Sequence, residues 1–364
     1  MRWRVLAVLG ATALMMAGMA PATAQNGAHV VASGLNNPRG LAFSPNGGLY
    51  VAEAGTGGSG PCFAGPEGPA CFGHSGSVTR IDGSGQRRVL TGLPSYGAEG
   101  TGDSAIGPSD VAFQGQGSMY VTEGLGLDLD FSKTIPALSS MGKLLNKQGA
   151  KLKVVADLAA FEDANNPAGD EENVNPNSVL SVGGARVVSD AGANDLLRVA
   201  ANGRISVLAT FPNRLVDAPP FLGLPPGTRI PMDAVPTSVA QGPDGALYVG
   251  QLTGFPFPVG GANVYRIVPG KAPQVFASGF TNIIDIAFDK RGTLYVLEIF
   301  KNGLLSGDPT GALIRVDRNG RQHVIMSTGL ITPGGLALRG GAAYVSNCGT
   351  CAGSGEVLRI PLGS

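Results

Sequence analysis

The sequence predicts an all-β fold, a six-bladed β-propeller of four-stranded blades. Three observations carry that expectation. One strand-turn-strand phrase recurs six times, a second such phrase follows each copy, and the strand missing from the last unit stands at the other end of the chain.

The first phrase reads "PRGLAFSPNGGLYVAE", "PSDVAFQGQGSMYVTE", "PNSVLSVGGARVVSD", "PTSVAQGPDGALYVGQ", "NIIDIAFDKRGTLYVLE" and "PGGLALRGGAAYVSN". Each copy is a pair of short apolar runs split by a Gly-containing turn, the mark of a hairpin. The second phrase reads "SVTRIDGSGQRRVLTGL", "GKLLNKQGAKLKVVADL", "DLLRVAANGRISVLATF", "NVYRIVPGKAPQVFASGF", "ALIRVDRNGRQHVIMSTGL" and, cut short, "EVLRIPL". Four strands per unit is the plan of a propeller blade. The fourth strand absent from the last unit is matched by "HVVASGL", His29 to Leu35, so pairing of the two chain ends closes the ring and covers its open edges.

Competing repeat folds fit less well. The only Trp, Trp3, precedes the repeats, which leaves no Trp-Asp signature. Successive copies of the position held by Tyr50, Tyr120, Val187, Tyr248, Tyr295 and Tyr344 lie 47 to 70 residues apart, too far for a β-helix. These aromatic residues are expected to pack between blades. The recurrent Arg80, Arg198, Arg266, Arg315 and Arg359 of the third strand are expected to serve structure as well.

Residues 1–24 read as a signal peptide, with Arg2 and Arg4, an apolar run from Val5 to Ala20 and small residues Ala22-Thr23-Ala24. Residues 25–364 then form a single propeller domain, secreted or periplasmic, with no membrane span once the signal is removed. Without Arg2 and Arg4 the 26 basic residues fall slightly below the 26 acidic ones, and no broad attraction to nucleic acid results. Cys62, Cys71, Cys348 and Cys351 all lie in the exported part, where disulfides are the default. Three pairings remain open.

Alternating strand direction puts the loops entering each first strand and leaving each second strand on one face. The short turns are expected on the other, so the long-loop face is where binding residues belong. At the channel mouth the alignment places Gly40, Asp110, Ser178, Ser238, Asp285 and Gly335. Asp110 and Asp285 would face each other across the ring, and two carboxylates so placed need a cation or hydrogen-bond donors; Ca²⁺ is the cofactor such a pair would take. At the end of the second strand Glu53, Glu123, Asp190, Gln251, Glu298 and Asn347 would form an acidic outer ring. Beside it stand "APPFLGLPPG" with Phe221 and "GFPFPVG" with Phe255 and Phe257, apolar tips suited to a small amphipathic ligand or a protein partner. The segment from Phe161 to Asn177 is dense in oxygen donors but lacks the EF-hand spacing. His29, His74 and His323 stand away from the channel mouth, and no nucleophile elbow, zinc helix or phosphate loop is present, so His-based catalysis is not expected.

The runs "DLAAFEDANNP", "AVPTSVAQGPDGALYVGQLTGFPFPVG", "GFTNIIDIAFDKRGTLYVLEI" and "LLSGDPTGALIRV" resemble the ScyD/ScyE family of exported bacterial proteins over nearly the whole mature chain. That resemblance implies a six-bladed NHL-like propeller outside the cytoplasm and carries no catalytic residues with it. Lactone- and ester-hydrolysing propellers of the gluconolactonase and paraoxonase kind are more distantly similar. They hold a channel cation through Glu, Asn and Asp, and "PNSV" with Asn177 resembles their asparagine element. Two functions are therefore expected to compete: a binding scaffold acting through the long-loop face, and a metal-dependent hydrolase using Asp110, Asp285 and Asn177.

Overall fold

The computed structural model describes residues 27–115 and 117–363; the expected signal peptide lies outside the described residues. Among the described residues six antiparallel sheets of four or five strands follow one another along the chain, with two small two-stranded sheets in the insertions. Blade 1 comprises Pro38–Phe43, Leu49–Glu53, Gly68–Asp82 and Gly85–Ala98. Blade 2 comprises Pro108–Gln114, Ser118–Glu123, Lys143–Gln148 and Lys151–Asp157. Blade 3 comprises Pro176–Val182, Ala185–Asp190, Asp195–Val199 and Ile205–Thr210. Blade 4 comprises Pro236–Gln241, Leu247–Gln251, Ala262–Ile267 and Gln274–Phe280. Blade 5 comprises Ile283–Phe288, Leu294–Glu298, Ala312–Val316 and Gln322–Met326. Blade 6 takes Gly335–Arg339, Ala342–Asn347 and Gly355–Pro361, and its outermost strand is His29–Leu35.

The first strands of successive blades touch one another in an unbroken cycle that returns from blade 6 to blade 1. The ends of the chain complete it, His29 standing opposite Arg359 and Leu35 opposite Gly355, with Leu35 fully buried. Expected closure of the last blade by the N-terminal strand is thus what the sheet shows.

No single core exists; apolar layers fill the spaces between adjacent blades. Val78 and Leu93 of blade 1 pack with Val111, Val121 and Leu145 of blade 2, and blades 4 and 5 share a layer of Tyr248, Val264, Ile286, Val296 and Ile314. Residues of opposite orientation along one strand serve opposite neighbours, which is why these strands are apolar on both faces. The repeated tyrosines contribute edge-on contacts across the gaps: Tyr50 with Phe113 at 4.7 Å, Tyr248 with Phe288 at 4.8 Å and Tyr344 with Phe43 at 5.0 Å. Three of the repeated arginines pair with turn aspartates, Arg80 with Asp82, Arg266 with Asp244 and Arg315 with Asp317.

The long insertions all join fourth to first strands or second to third strands, as the alternation requires. Two of them are joined by the two-stranded sheet of Leu127–Asp128 with Asn173–Val174, and they also carry the helices Leu129–Lys133 and Leu158–Asn165 and the hairpin Arg214–Asp217/Arg229–Met232. The expectation that every short connection lies on the opposite face is corrected at three places. Residues 36–37, 281–282 and 191–194 are short joints on the long-loop side. Each turns at an asparagine of positive φ, Asn37 at 49°, Asn282 at 45° and Asn194 at 53°, a conformation Asn tolerates because its side chain can bond locally. No described helix is long and apolar enough to cross a membrane.

The cysteines pair as neighbours. Cys62–Cys71 crosses the hairpin of Cys62–Gly65 with the start of the long third strand of blade 1, and Cys348–Cys351 closes the turn after the second strand of blade 6.

Candidate functional site

Three of the aligned residues near the start of the first strands, Asp110, Ser178 and Asp285, bond to the next blade. Asp110 Oδ2 accepts the Val179 N–H at 2.8 Å and the Ser178 hydroxyl at 3.0 Å, while Oδ1 accepts the Val111 N–H at 2.7 Å. Ser178 Oγ in turn accepts the Val239 N–H at 3.4 Å. Asp285 repeats the arrangement, accepting Ile286 and Leu336 N–H groups at 2.7 Å each. The residue one place earlier donates where it can. Ser109 reaches the Pro176 carbonyl at 2.5 Å, Asn177 the Thr237 carbonyl at 2.7 Å, Thr237 the Ile283 carbonyl at 2.7 Å and Arg39 the Ala105 carbonyl at 2.8 Å. A strand whose pleat points at a neighbouring sheet has N–H and C=O groups left over at its end, and these side chains satisfy them.

Desolvation pushes the Asp110 carboxyl up to about 7, and burial together with the charge of Asp110 pushes Asp285 well above the usual carboxylate range. The oxygen chemistry of Asp110, Asp285 and Asn177 suits a hard cation. Their geometry does not offer it freely: both oxygens of each carboxylate already accept N–H groups, and the Asn177 amide is turned to the Thr237 carbonyl. Space beside Asp110 is also taken, since a Cβ at Gly40 would stand 2.1 Å from Asp110 Oδ1.

The second set, expected as an acidic outer ring at the surface, is corrected: Glu53, Glu123, Asp190, Gln251, Glu298 and Asn347 are all buried. The physical reason is that four of these side chains turn back beneath the connection from the preceding blade and accept its N–H groups. Glu53 takes Asn36 at 2.8 Å, Asp190 takes Asn175 at 2.7 Å, Glu298 takes Thr281 at 2.6 Å and Asn347 takes Ile331 at 2.7 Å. Glu53 is further held by Ser77, Thr79 and Arg88. Gln251 Oε1 accepts from Arg214 at 3.1 Å. Glu123 has no partner for either oxygen, and burial drives its carboxyl far up. Burial likewise lifts Glu298 to about 7. Glu53, Asp190, Glu298 and Asn347 thus anchor loops, and all six side chains lie beneath the surface.

The apolar tips do come together. Phe221 lies edge-on to Phe255 at 6.2 Å, and Phe255 to Phe257 at 6.3 Å. Phe221 is 68 % exposed and Val259 69 %, and Leu215 and Leu305 add exposed apolar surface from neighbouring loops. A Cβ at Gly303 would lie 3.2 Å from the Val259 side chain, which places the 303–305 turn against the same patch. This patch is made by loops on the long-loop side of blades 4 and 5.

Two features were not anticipated from the sequence. A cleft of about 540 Å³ opens on the short-turn face between blades 5 and 6, lined by Lys290, Arg291, Arg315, Arg318 and Arg339 with Asp289 and Asp317. Its charges come from turns of different repeats, which sequence order scatters. The buried asparagines are the other: Asn37 bonds to the carbonyls of Gly55 and Gly102, and Asn282 to that of Leu252. The recurrence of Asn at "LNNP" and "FTNII" was their available signal. Among the described residues, one group of three potential ligands brings its atoms within 4.8 Å of one another: Cys62, Cys71 and Glu99, whose sulfurs are spent in a disulfide.

No family model and no curated protein matches the chain. Solved structures do resemble it. A gluconolactonase-like protein shares 14 % identity over 93 % of this chain and 93 % of its own, with a TM-score of 0.51. An auxiliary nutrient binding protein from Bacteroides thetaiotaomicron shares 9 % identity over 90 % of this chain and 69 % of its own, with a TM-score of 0.52. A protein of unknown function from the same organism shares 12 % over 93 % and 76 %, with a TM-score of 0.52. At such identities the likeness is one of fold, the β-propeller, and binding and hydrolytic relatives share it alike.

Proposed function

We propose that this chain is an exported binding module that docks a protein partner through the apolar patch of Phe221, Phe255, Phe257 and Val259. The single observation behind this reading is that aromatic cluster on the long-loop side, where exposed Phe221 and Val259 stand with half-buried Phe255 and Phe257. Monomeric proteins rarely leave such surface open without an interaction to cover it. Placement outside the cytoplasm rests on the leader-like start, the two disulfides and the resemblance to the ScyD/ScyE family. The test is a photo-crosslinking residue at position 221, with one at the equally apolar but remote Val324 as control, in the native host. A discrete protein adduct from position 221 alone, lost on Val259→Asp, supports the reading; equal or absent adducts at both positions reject it.

The alternative is a channel-metal hydrolase of lactones or esters. Its support is the repulsion between Asp110 and Asp285, which a cation in the channel would relieve. It requires a cation to share carboxylate oxygens that already accept backbone N–H groups. A protein that turns over no lactone or ester in the presence of Ca²⁺ rejects it.

A further inference from the structure

The connection between blades 2 and 3 encloses a group of carboxylates with no positive partner. Glu162, on the helix Leu158–Asn165, is 1 % exposed, and Asp195, the first residue of the third strand of blade 3, is 0 % exposed. Neither oxygen of either side chain has a hydrogen-bond partner. Asp190 stands opposite Asp195 across the turn of residues 191–194, its Oδ1 accepting N–H groups from Asn175, Gly192 and Ala193 at 2.7, 3.1 and 3.1 Å. Asp170 accepts the Asn194 amide at 2.8 Å through Oδ2, while its Oδ1 and the Oδ1 of Asn173 are buried without partners. None of the ion pairs among the described residues includes any of these acids.

Buried charge without a counter-charge is among the costliest arrangements a protein can hold. Protonation would remove the charge but would turn each carboxyl into a donor that needs an acceptor of its own. A divalent cation removes both. All the available donors are oxygens, which fits calcium with its six to eight flexible oxygen ligands and does not fit zinc. We infer that this pocket binds one calcium-type cation through Glu162, Asp170, Asp190 and Asp195, apart from the channel. No three of these carboxylates bring oxygens within 4.8 Å of one another, so the ion draws them inward and thereby clamps the helix to blade 3. Asn194 relays the clamp onward, since its Oδ1 accepts the Val235 N–H at 2.8 Å where the loop bearing Phe221 returns to blade 4.

The test is calorimetric titration of Ca²⁺ into chelator-stripped mature protein, with the melting temperature followed in parallel. One equivalent should bind and raise Tm by roughly 5 °C at saturating metal. Glu162→Gln with Asp195→Asn should abolish both effects while leaving the calcium-free Tm equal or higher, because it removes repelling charge. Each single change should weaken binding at least tenfold, which decides the matter should the double variant not fold. Asp110→Asn with Asp285→Asn should leave binding intact. Absence of binding at millimolar Ca²⁺, affinity unmoved by the single changes, or loss of binding in the Asp110 and Asp285 variant would each overturn the assignment.

Discussion

The Asp110 carboxylate accepts the Val179 N–H at 2.8 Å, so a side chain of blade 2 completes the hydrogen bonding of a strand in blade 3. Asp285 does the same for Leu336, from blade 5 to blade 6, at 2.7 Å. These bonds tie the first strands of neighbouring blades to one another.

Replacing Asp110 by Ala strands the Val179 N–H in a desolvated place. The expected cost is about 1–3 kcal/mol, read as a lower urea midpoint. No change in midpoint would mean that the bond does not hold in solution.

The same carboxyl sets a pH dependence. Asp110 rises from the ordinary 3.8 to about 7 on folding and Glu298 from 4.5 to about 7, so the folded state binds more protons between those values. Their contribution is fully present below pH 4 and is lost as pH climbs through 7. With chelator present, the urea midpoint should therefore be higher at pH 5 than at pH 8, and Asp110→Asn should flatten the difference. A midpoint that rises with pH in the wild-type protein would contradict this sign.

Gly40 is required by what stands opposite it. In Gly40→Ala the new methyl would meet Asp110 Oδ1 at 2.1 Å, with an expected loss of about 1–3 kcal/mol. Combining it with Asp110→Gly should cost less than the sum of the two single changes; simple additivity would show that the two residues do not touch.

Leu35 carries the junction of the chain ends. Leu35→Ala removes a fully buried side chain and should cost about 2–5 kcal/mol, measured by chemical denaturation. Retention of wild-type stability would refute the pairing of His29–Leu35 with the last blade.

Alkylation of the non-reduced mature protein should modify no thiol, since both cysteine pairs are closed. Detection of four reactive thiols would remove the disulfides.

The repeats made the sheets legible because each blade needs the same period-two apolar pattern, and Tyr50, Tyr248 and Tyr344 sit at one repeat position for one packing reason. Asp110 and Asp285 were found as a pair by alignment, but their partners are backbone groups of the next blade, which no side-chain pattern reveals. Glu53 and Asp190 misled because a position at a strand end does not say whether the side chain turns outward or back beneath a loop. Phe221 and Phe255 come from separate blades' loops, so their contact follows from how those loops fold.

Strand His29–Leu35 has its partner roughly 320 residues downstream in Gly355–Pro361. A polypeptide emerging from its N-terminus therefore presents its opening segment unpaired until nearly all the rest has appeared. Assembly cannot be finished piecemeal, and the slowest event is the meeting of the earliest and latest residues. During that wait a β-prone stretch with its backbone unsatisfied is open to a neighbouring molecule, which makes this segment the place where exchange between copies, or capture by a chaperone, would begin.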